Sequence, residues 1–416
     1  MRSAIRLLGV CAILIALGCS SGGSAPASPQ NPGEGNPNGN TPPPGPNPNI
    51  NAPDEGDGPI YDPRFVSGHP ANPQITVASG FAISVFADGL NGPRHMTRRG
   101  NEVWVAERGA GRITVLRDLD GDGYAENKTT AISVSSPHVI SYWRGWFYVG
   151  QTTQISRFRD DNNDRIADGF TTIITGLPNG GHITRTPEVN PFDNKLYVGI
   201  GSSCNLCEET DTHRAAIWQY NPDGTNGRVY ASGLRNAVGI AFRPGSQDIW
   251  TVVNGWDNLG DFLPHECMFK VVDGGFYGWP YAYSNNGVVV PDPTFGPGNP
   301  AKVAETRLAD FEFGAHFAPL GVTFWHGKYW GSSFTYDAFA SFHGSWVPAT
   351  PVGYKVGHIH FDATGKPVSM DILADNFRIG NNSPVGRPVD VLQFGNALLI
   401  SDDQGGVIYR VDKLAQ

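Results

Sequence analysis

Pro93-Arg94-His95-Met96-Thr97-Arg98-Arg99, then Val103-Trp104-Val105, then Arg112-Ile113-Thr114-Val115-Leu116-Arg117 follow one another between residues 93 and 117. The later two runs are rich in β-branched and aromatic side chains, and Gly100-Asn101 and Gly109-Ala110-Gly111 separate the three. The stretch therefore reads as three antiparallel strands joined by tight turns. The pattern recurs along the chain. Short apolar segments open again at 137–143, 181–189, 236–242, 318–324 and 387–394, with partners beginning at Phe147, Leu196, Ile249, Ala338 and Leu398. Most partners are trailed by a third run, at 154–159, 216–220, 354–361 and 407–411.

Six copies of one unit, without the 3.6-residue period of helices, predict an all-β, six-bladed β-propeller over residues 60–416. Successive partner segments lie 44, 49, 53, 89 and 60 residues apart. The long interval has room for a seventh blade, but 281–316 carries no second copy of the pattern and reads as a loop inserted on blade five. Gly (53) and Pro (33) supply about a fifth of the 416 residues, against roughly 12% in ordinary proteins, which suits frequent turns and scarce helix. A net charge of -9 excludes a nucleic-acid binder, which needs a concentrated basic face.

The N-terminal residues have a different character. Residues 1–18 read as an export signal: Arg2 and Arg6 precede an apolar run from Leu7 to Leu17, too short for the ~20 residues that span a bilayer. Ala16-Leu17-Gly18-Cys19 resembles a bacterial lipobox, implying a lipidated Cys19 and an outer-membrane lipoprotein facing the periplasm or the cell surface; a secreted protein is the alternative. Residues 20–59 contain 11 Pro, 8 Gly and no aromatic residue, so 19–59 reads as a lipidated cysteine followed by a disordered tether. In an oxidising compartment Cys204-Asn205-Leu206-Cys207 reads as a short disulfide rather than half a zinc site, and Cys267 as a buried thiol.

A propeller gathers the starts of its innermost strands at one mouth of the central channel. Those positions hold Arg94 and His95, His138, His182, Arg235 and Asn236, His316, and Arg387. So basic a ring in an acidic protein predicts an axial pocket for an anionic small molecule. Elsewhere Asp118, Asp120 and Asp122 alternate before a glycine, and Asp160, Asn162, Asp164 and Asp168 repeat the spacing. Alternate oxygen ligands suit structural calcium; solvated hairpins are the other reading.

The ordered motifs Gly181-His182 with Arg185, Gly233-Leu234-Arg235-Asn236, Tyr277-Gly278-Trp279-Pro280, Ala318-Pro319-Leu320-Gly321, His343-Gly344-Ser345-Trp346, Gly386-Arg387-Pro388-Val389 and Ser401-Asp402-Asp403 resemble the glucose/sorbosone dehydrogenase family of propellers that bind pyrroloquinoline quinone (PQQ). The resemblance covers about residues 75 to 412. It implies a PQQ- and calcium-dependent oxidation of an aldose or related sugar, with electrons passed to a quinone or cytochrome. It makes His182 the general base that takes the hydroxyl proton as hydride leaves for PQQ. It places Arg235, Asn236 and Arg387 on the cofactor, with Arg94, His138 and Lys355 as further candidates, and calcium on backbone oxygens around Gly255 and Trp256, with Glu266 as an acidic ligand. The sequence departs from the family at Val347-Pro348, where a polar and a basic residue are usual, at Trp256, where arginine is common, and at Ala282 in place of a cysteine. A metal-dependent lactonase-type hydrolase and a non-catalytic carbohydrate-binding propeller stay open as alternatives.

Overall fold

The computed structural model describes residues 58–345 and 350–415. The export signal, the lipobox cysteine, all but the last two tether residues and the Val347-Pro348 pair lie outside them.

Among the described residues, six sheets of at least four strands follow one another along the chain, antiparallel except where Gly275–Phe276 joins the third. Blade one runs Pro93–Arg99, Glu102–Glu107, Arg112–Arg117, Asn127–Ser133, and blade two Pro137–Trp143, Trp146–Gln151, Gln154–Arg159, Asp168–Ile174. Blades three to six begin at Arg185–Val189, Ala237–Phe242, Pro319–Phe324 and Pro388–Phe394. The second strand of each blade is covered on both faces by neighbouring blades, so it shows an unbroken buried run rather than alternation. Glu102–Glu107 is buried throughout, and Trp104 stacks on Phe147 of blade two at 4.0 Å between ring centres. Such rings interlock adjacent blades through buried area.

Near the axis the blades come too close for side chains. A Cβ on Gly150 would lie 1.9 Å from the Arg185 carbonyl oxygen of the next blade, and one on Gly239 would lie 2.6 Å from that of Leu320. The same region is riveted by hydroxyls: Ser141 donates to the Pro187 carbonyl (2.6 Å), Thr186 to Val238 (2.5 Å) and Ser341 to Val389 (2.6 Å). Each satisfies a buried carbonyl on the following blade.

The ring is closed by its two ends. Phe81–Ala87, from before blade one, pairs with Val407–Lys413 to become the outer strand of blade six. The Thr76–Val77 strand likewise extends blade five through Pro367–Asp375.

The 281–316 segment is not a loop on blade five. After the third strand of blade four, Cys267–Val271, the chain adds Gly275–Phe276 to blade three. It then forms the hairpin Ala282–Asn285/Val288–Pro291 and the helix Pro300–Glu305, and returns with Phe311–Glu312 as the outer strand of blade four. The insertion therefore lies inside blade four. Cys204 and Cys207 form a disulfide and Cys267 is a free buried thiol. No described helix is long and apolar enough to cross a membrane.

Along the axis, Val238, Leu320 and Val389 form an apolar cluster between two cavities. The one toward the far ends of the inner strands, about 270 Å³, is lined by His95, Glu188 and Asp390 among others. Burial pushes the Asp390 carboxyl up to about 7 and Glu188 well above its usual range. A carboxyl raised in this way binds a proton in the folded chain that the unfolded chain has already lost. Its stabilising contribution is thus complete below about pH 4 and is lost as the pH rises through 7. Asp390→Asn, which keeps an acceptor for the Met96 amide now bonded at 2.8 Å, is expected to gain stability relative to the native chain as pH rises from 5 to 8. Denaturant midpoints measured across that range test this, and parallel pH profiles for the two proteins would refute it.

Candidate active site

The upper cavity, about 360 Å³, lies at the mouth where the inner strands begin, and its wall includes His182, Arg235, Gly255, Glu266, His316 and Arg387. Four of the predicted mouth residues therefore meet here, together with two of the predicted metal-site residues.

His182 sits at the entry to blade three. Gly181, at φ +60°, lets the chain press against the Ser202 and Ser203 carbonyls, where a Cβ would be 2.4 Å from the nearer oxygen. The His182 amide then donates to Ser202 O (2.9 Å). Its Nδ1 lies 2.9 Å from Ser202 Oγ and 3.2 Å from Ser202 O. Ser202 Oγ already donates to the Cys204 carbonyl at 2.7 Å, so it accepts from the ring. This fixes the proton on Nδ1 and leaves the Nε2 lone pair for a ligand. Burial, reinforced by the Arg235 guanidinium, pushes the imidazole down to about 4, well below an unperturbed histidine. The ring is neutral at any ordinary pH.

Arg235 precedes the first strand of blade four. Its Nε and Nη2 donate to the main-chain and side-chain oxygens of Asn205 (both 2.9 Å) and its Nη1 to the Gly255 carbonyl (2.6 Å). It thereby ties the disulfide loop to the 254–257 turn. Burial lowers it to about 10, still charged at neutral pH. Arg387, opening blade six, donates Nε to His343 O (3.0 Å) and Nη2 to Gly344 O (2.6 Å) and lies beside the Tyr354 ring. His316 is held by Gly260 O at 2.9 Å and faces Asp257 at 3.4 Å.

The acidic side of the cavity is Glu266, Asp257 and the Gly255 carbonyl. Glu266 is buried and accepts the Ala318 amide. Burial pushes its carboxyl well above the usual range, a cost to the charged form that a cation held against its oxygens would offset. Carboxylate and carbonyl oxygens of this kind suit a hard cation.

Other predicted residues lie elsewhere. His138 does not reach the cavity: it is buried within blade two, bonded to Thr152 at 3.1 Å, and burial drives it down to about 3. Asn236 stands behind the wall, bonded to Asn254 at 3.2 Å. Lys355 lies over the Phe317 ring, outside the cavity wall. Trp256 packs its indole against Tyr283 and Trp279, so at this turn Gly255 and not Trp256 faces the cavity. Arg94 is one step removed: it pairs with Asp403 (2.8 Å), which also accepts His343 Nε2 (2.9 Å). That Asp403–His343 pair was not anticipated, although both residues stand in quoted motifs.

The acidic loops divide. Asp118 and Asp120 bring carboxylate oxygens together with Glu126, whereas Asp122 turns to His69 (3.5 Å), so Glu126 and not Asp122 completes that cluster. In the second loop Asp160 is paired with the Arg99 guanidinium at 2.7 Å, which supplies the positive charge from within the chain.

Fold and pocket together define a six-bladed propeller with a cationic, imidazole-lined axial mouth. A family model described as TrAA12-like matches residues 75–263 and 301–413, and the chain belongs to that family. The unmatched interval, residues 264–300, takes in the third strand of blade four and most of the excursion that follows it. Among relatives, a pyrroloquinoline quinone-dependent pyranose dehydrogenase of Coprinopsis cinerea is 24% identical over 408 residues, covering 82% of this chain. The chain spans about half (55%) of that relative's length. The holo PQQ domain of a Coprinopsis cinerea pyranose dehydrogenase superposes with a TM-score of 0.74 at 23% identity, covering 84% of this chain and all of that one. A calcium structure of a Trichoderma reesei family AA12 enzyme gives 0.73 at 21% identity, covering 84% and 99%.

Proposed function

We propose that the chain is a PQQ- and calcium-dependent dehydrogenase of aldoses or related sugars, with His182 as general base. The observation that carries this reading is a neutral imidazole with a free Nε2 in the same cavity as two main-chain-anchored guanidiniums. The donor set fits the cofactor: Arg235 and Arg387 would hold the carboxylates of a tricarboxylate anion, and Glu266, Asp257 and the Gly255 carbonyl would hold calcium. PQQ with calcium, when bound, would supply the two-electron acceptor for the oxidation.

The residues then divide the work. Arg235 and Arg387 bind and orient, at little conformational cost because carbonyls already hold them. Ser202 keeps the His182 proton on Nδ1. Nε2 takes the proton of the sugar hydroxyl as the carbon beneath it is oxidised. His343, whose Nε2–H is held by Asp403, is left with Nδ1 as an acceptor in the cavity wall. The kinship with a pyranose dehydrogenase supports a sugar substrate; the acceptor is read as a quinone or cytochrome. The lipobox-like N-terminus supports placement on the outer membrane, facing the periplasm or cell surface.

Adding PQQ and calcium to the purified chain is expected to quench tryptophan fluorescence and support aldose-dependent dye reduction. PQQ-independent lactone hydrolysis, or neither binding nor reduction with any aldose, would overturn the reading.

A further inference from the structure

We infer a transition-metal site on blade five, formed by Asp337, His358 and His360, with Asp371 behind it. None of these residues lines either axial cavity. His358 and His360 alternate on the strand Lys355–Phe361, so both imidazoles project from one face. Asp337 immediately precedes the adjacent strand Ala338–Phe342. Its Oδ2 lies 2.8 Å from His358 Nε2 and 3.2 Å from His360 Nδ1. Two nitrogens and one oxygen thus converge on one point.

Proton counting favours a cation there. The second nitrogen of His360, Nε2, faces Asp371 Oδ2 at 2.9 Å, so carboxylates stand at both ends of a ring that carries one N–H when neutral. Positive charge resolves the conflict, either a second ring proton or a divalent ion on Nδ1; with the ion, Nε2–H donates to Asp371 and Nδ1 keeps its lone pair for the metal. A carboxylate hydrogen-bonded to the far nitrogen of a metal-bound histidine is the usual supporting arrangement. Asp337 Oδ1 is engaged by the Phe361 amide at 2.8 Å, which leaves Oδ2 for the ion. Asp337 is only 4% exposed, and among the described residues its ion-pair partners are the two imidazoles alone.

The frame is built as well. His358 stacks between Phe334 and Phe339 at 4.8 and 4.7 Å, which fixes its ring. Metal–ligand bonds of ~2.0–2.1 Å in a tetrahedron separate donor atoms by about 3.3 Å. The two oxygen–nitrogen distances reach that with shifts of a few tenths of an ångström, and all three donor atoms already lie within 4.8 Å of one another. His360 is partly exposed, so the fourth position opens to water. Two imidazoles and one carboxylate select zinc or a neighbouring first-row ion over calcium.

The test uses the full chain, stripped with a chelator and returned to excess calcium so that oxygen sites are filled, then titrated calorimetrically with zinc chloride at neutral pH. One equivalent should bind with submicromolar affinity, and cobalt should give the visible bands of a four-coordinate nitrogen-containing site. His360→Gln, at the more exposed ligand, should weaken zinc binding by at least about a hundredfold, and Asp371→Asn by about 10–100-fold, with circular dichroism confirming that both variants fold. No stoichiometric uptake, or uptake unchanged in His360→Gln, would overturn the site.

Discussion

Replacing His182 with alanine is expected to lower aldose-dependent dye reduction by about 10²–10⁴-fold, the range for loss of a general base, while PQQ still quenches fluorescence as in the native protein. The two readouts separate because the groups assigned to the anion, Arg235 and Arg387, are anchored independently of this imidazole, by carbonyls of residues 205, 255, 343 and 344. The pH profile carries the sharper signature. With His182 held at about 4 by burial and Arg235, the base is deprotonated at every pH above that value. The acid limb of kcat/KM for the native enzyme should therefore fall near pH 4 rather than near 6.5, and should vanish in the variant. Unchanged turnover in His182→Ala would place the base elsewhere; an acid limb near 6.5 would show that the ring is solvated during catalysis.

Arg387→Ala should weaken PQQ binding roughly tenfold to a hundredfold, the equivalent of about 1.5–3 kcal/mol for one charge-assisted contact, and leave turnover at saturating PQQ close to native. Among the described residues Arg387 donates Nε and Nη2 to main-chain carbonyls, so one edge of the fork is preset. Lysine at 387 should not restore the affinity, because a point charge cannot hold both carbonyls and a carboxylate in the same geometry. Fluorescence titration with PQQ measures both variants, and native affinity in Arg387→Ala would remove this residue from the site.

The blades were legible because their signal is repeated: a second strand covered on both faces needs an unbroken apolar run such as Val103-Trp104-Val105. His182, Arg235, His316 and Arg387 were legible for the same reason, since each opens an inner strand. His138 and Arg94 open inner strands too, yet the mouth is not symmetric. The 254–266 and 343–345 segments build the cavity against blades three to six and leave His138 facing its own blade. The blade-four excursion was misplaced because the strand that ends it, Phe311–Glu312, is two residues long and carries no period. Pairings through space, such as Asp403 with His343, Ser202 with His182, and Glu126 with Asp118, have no spacing to announce them.

The shared closure of blade six has a consequence for biogenesis. Phe81–Ala87 is made first and has its partner, Val407–Lys413, only after five other blades have been synthesised. Until then the ring is an open horseshoe with an apolar edge, and such an edge invites pairing with other nascent copies. Emergence of Val407–Lys413, rather than formation of any earlier blade, is the event that closes the ring.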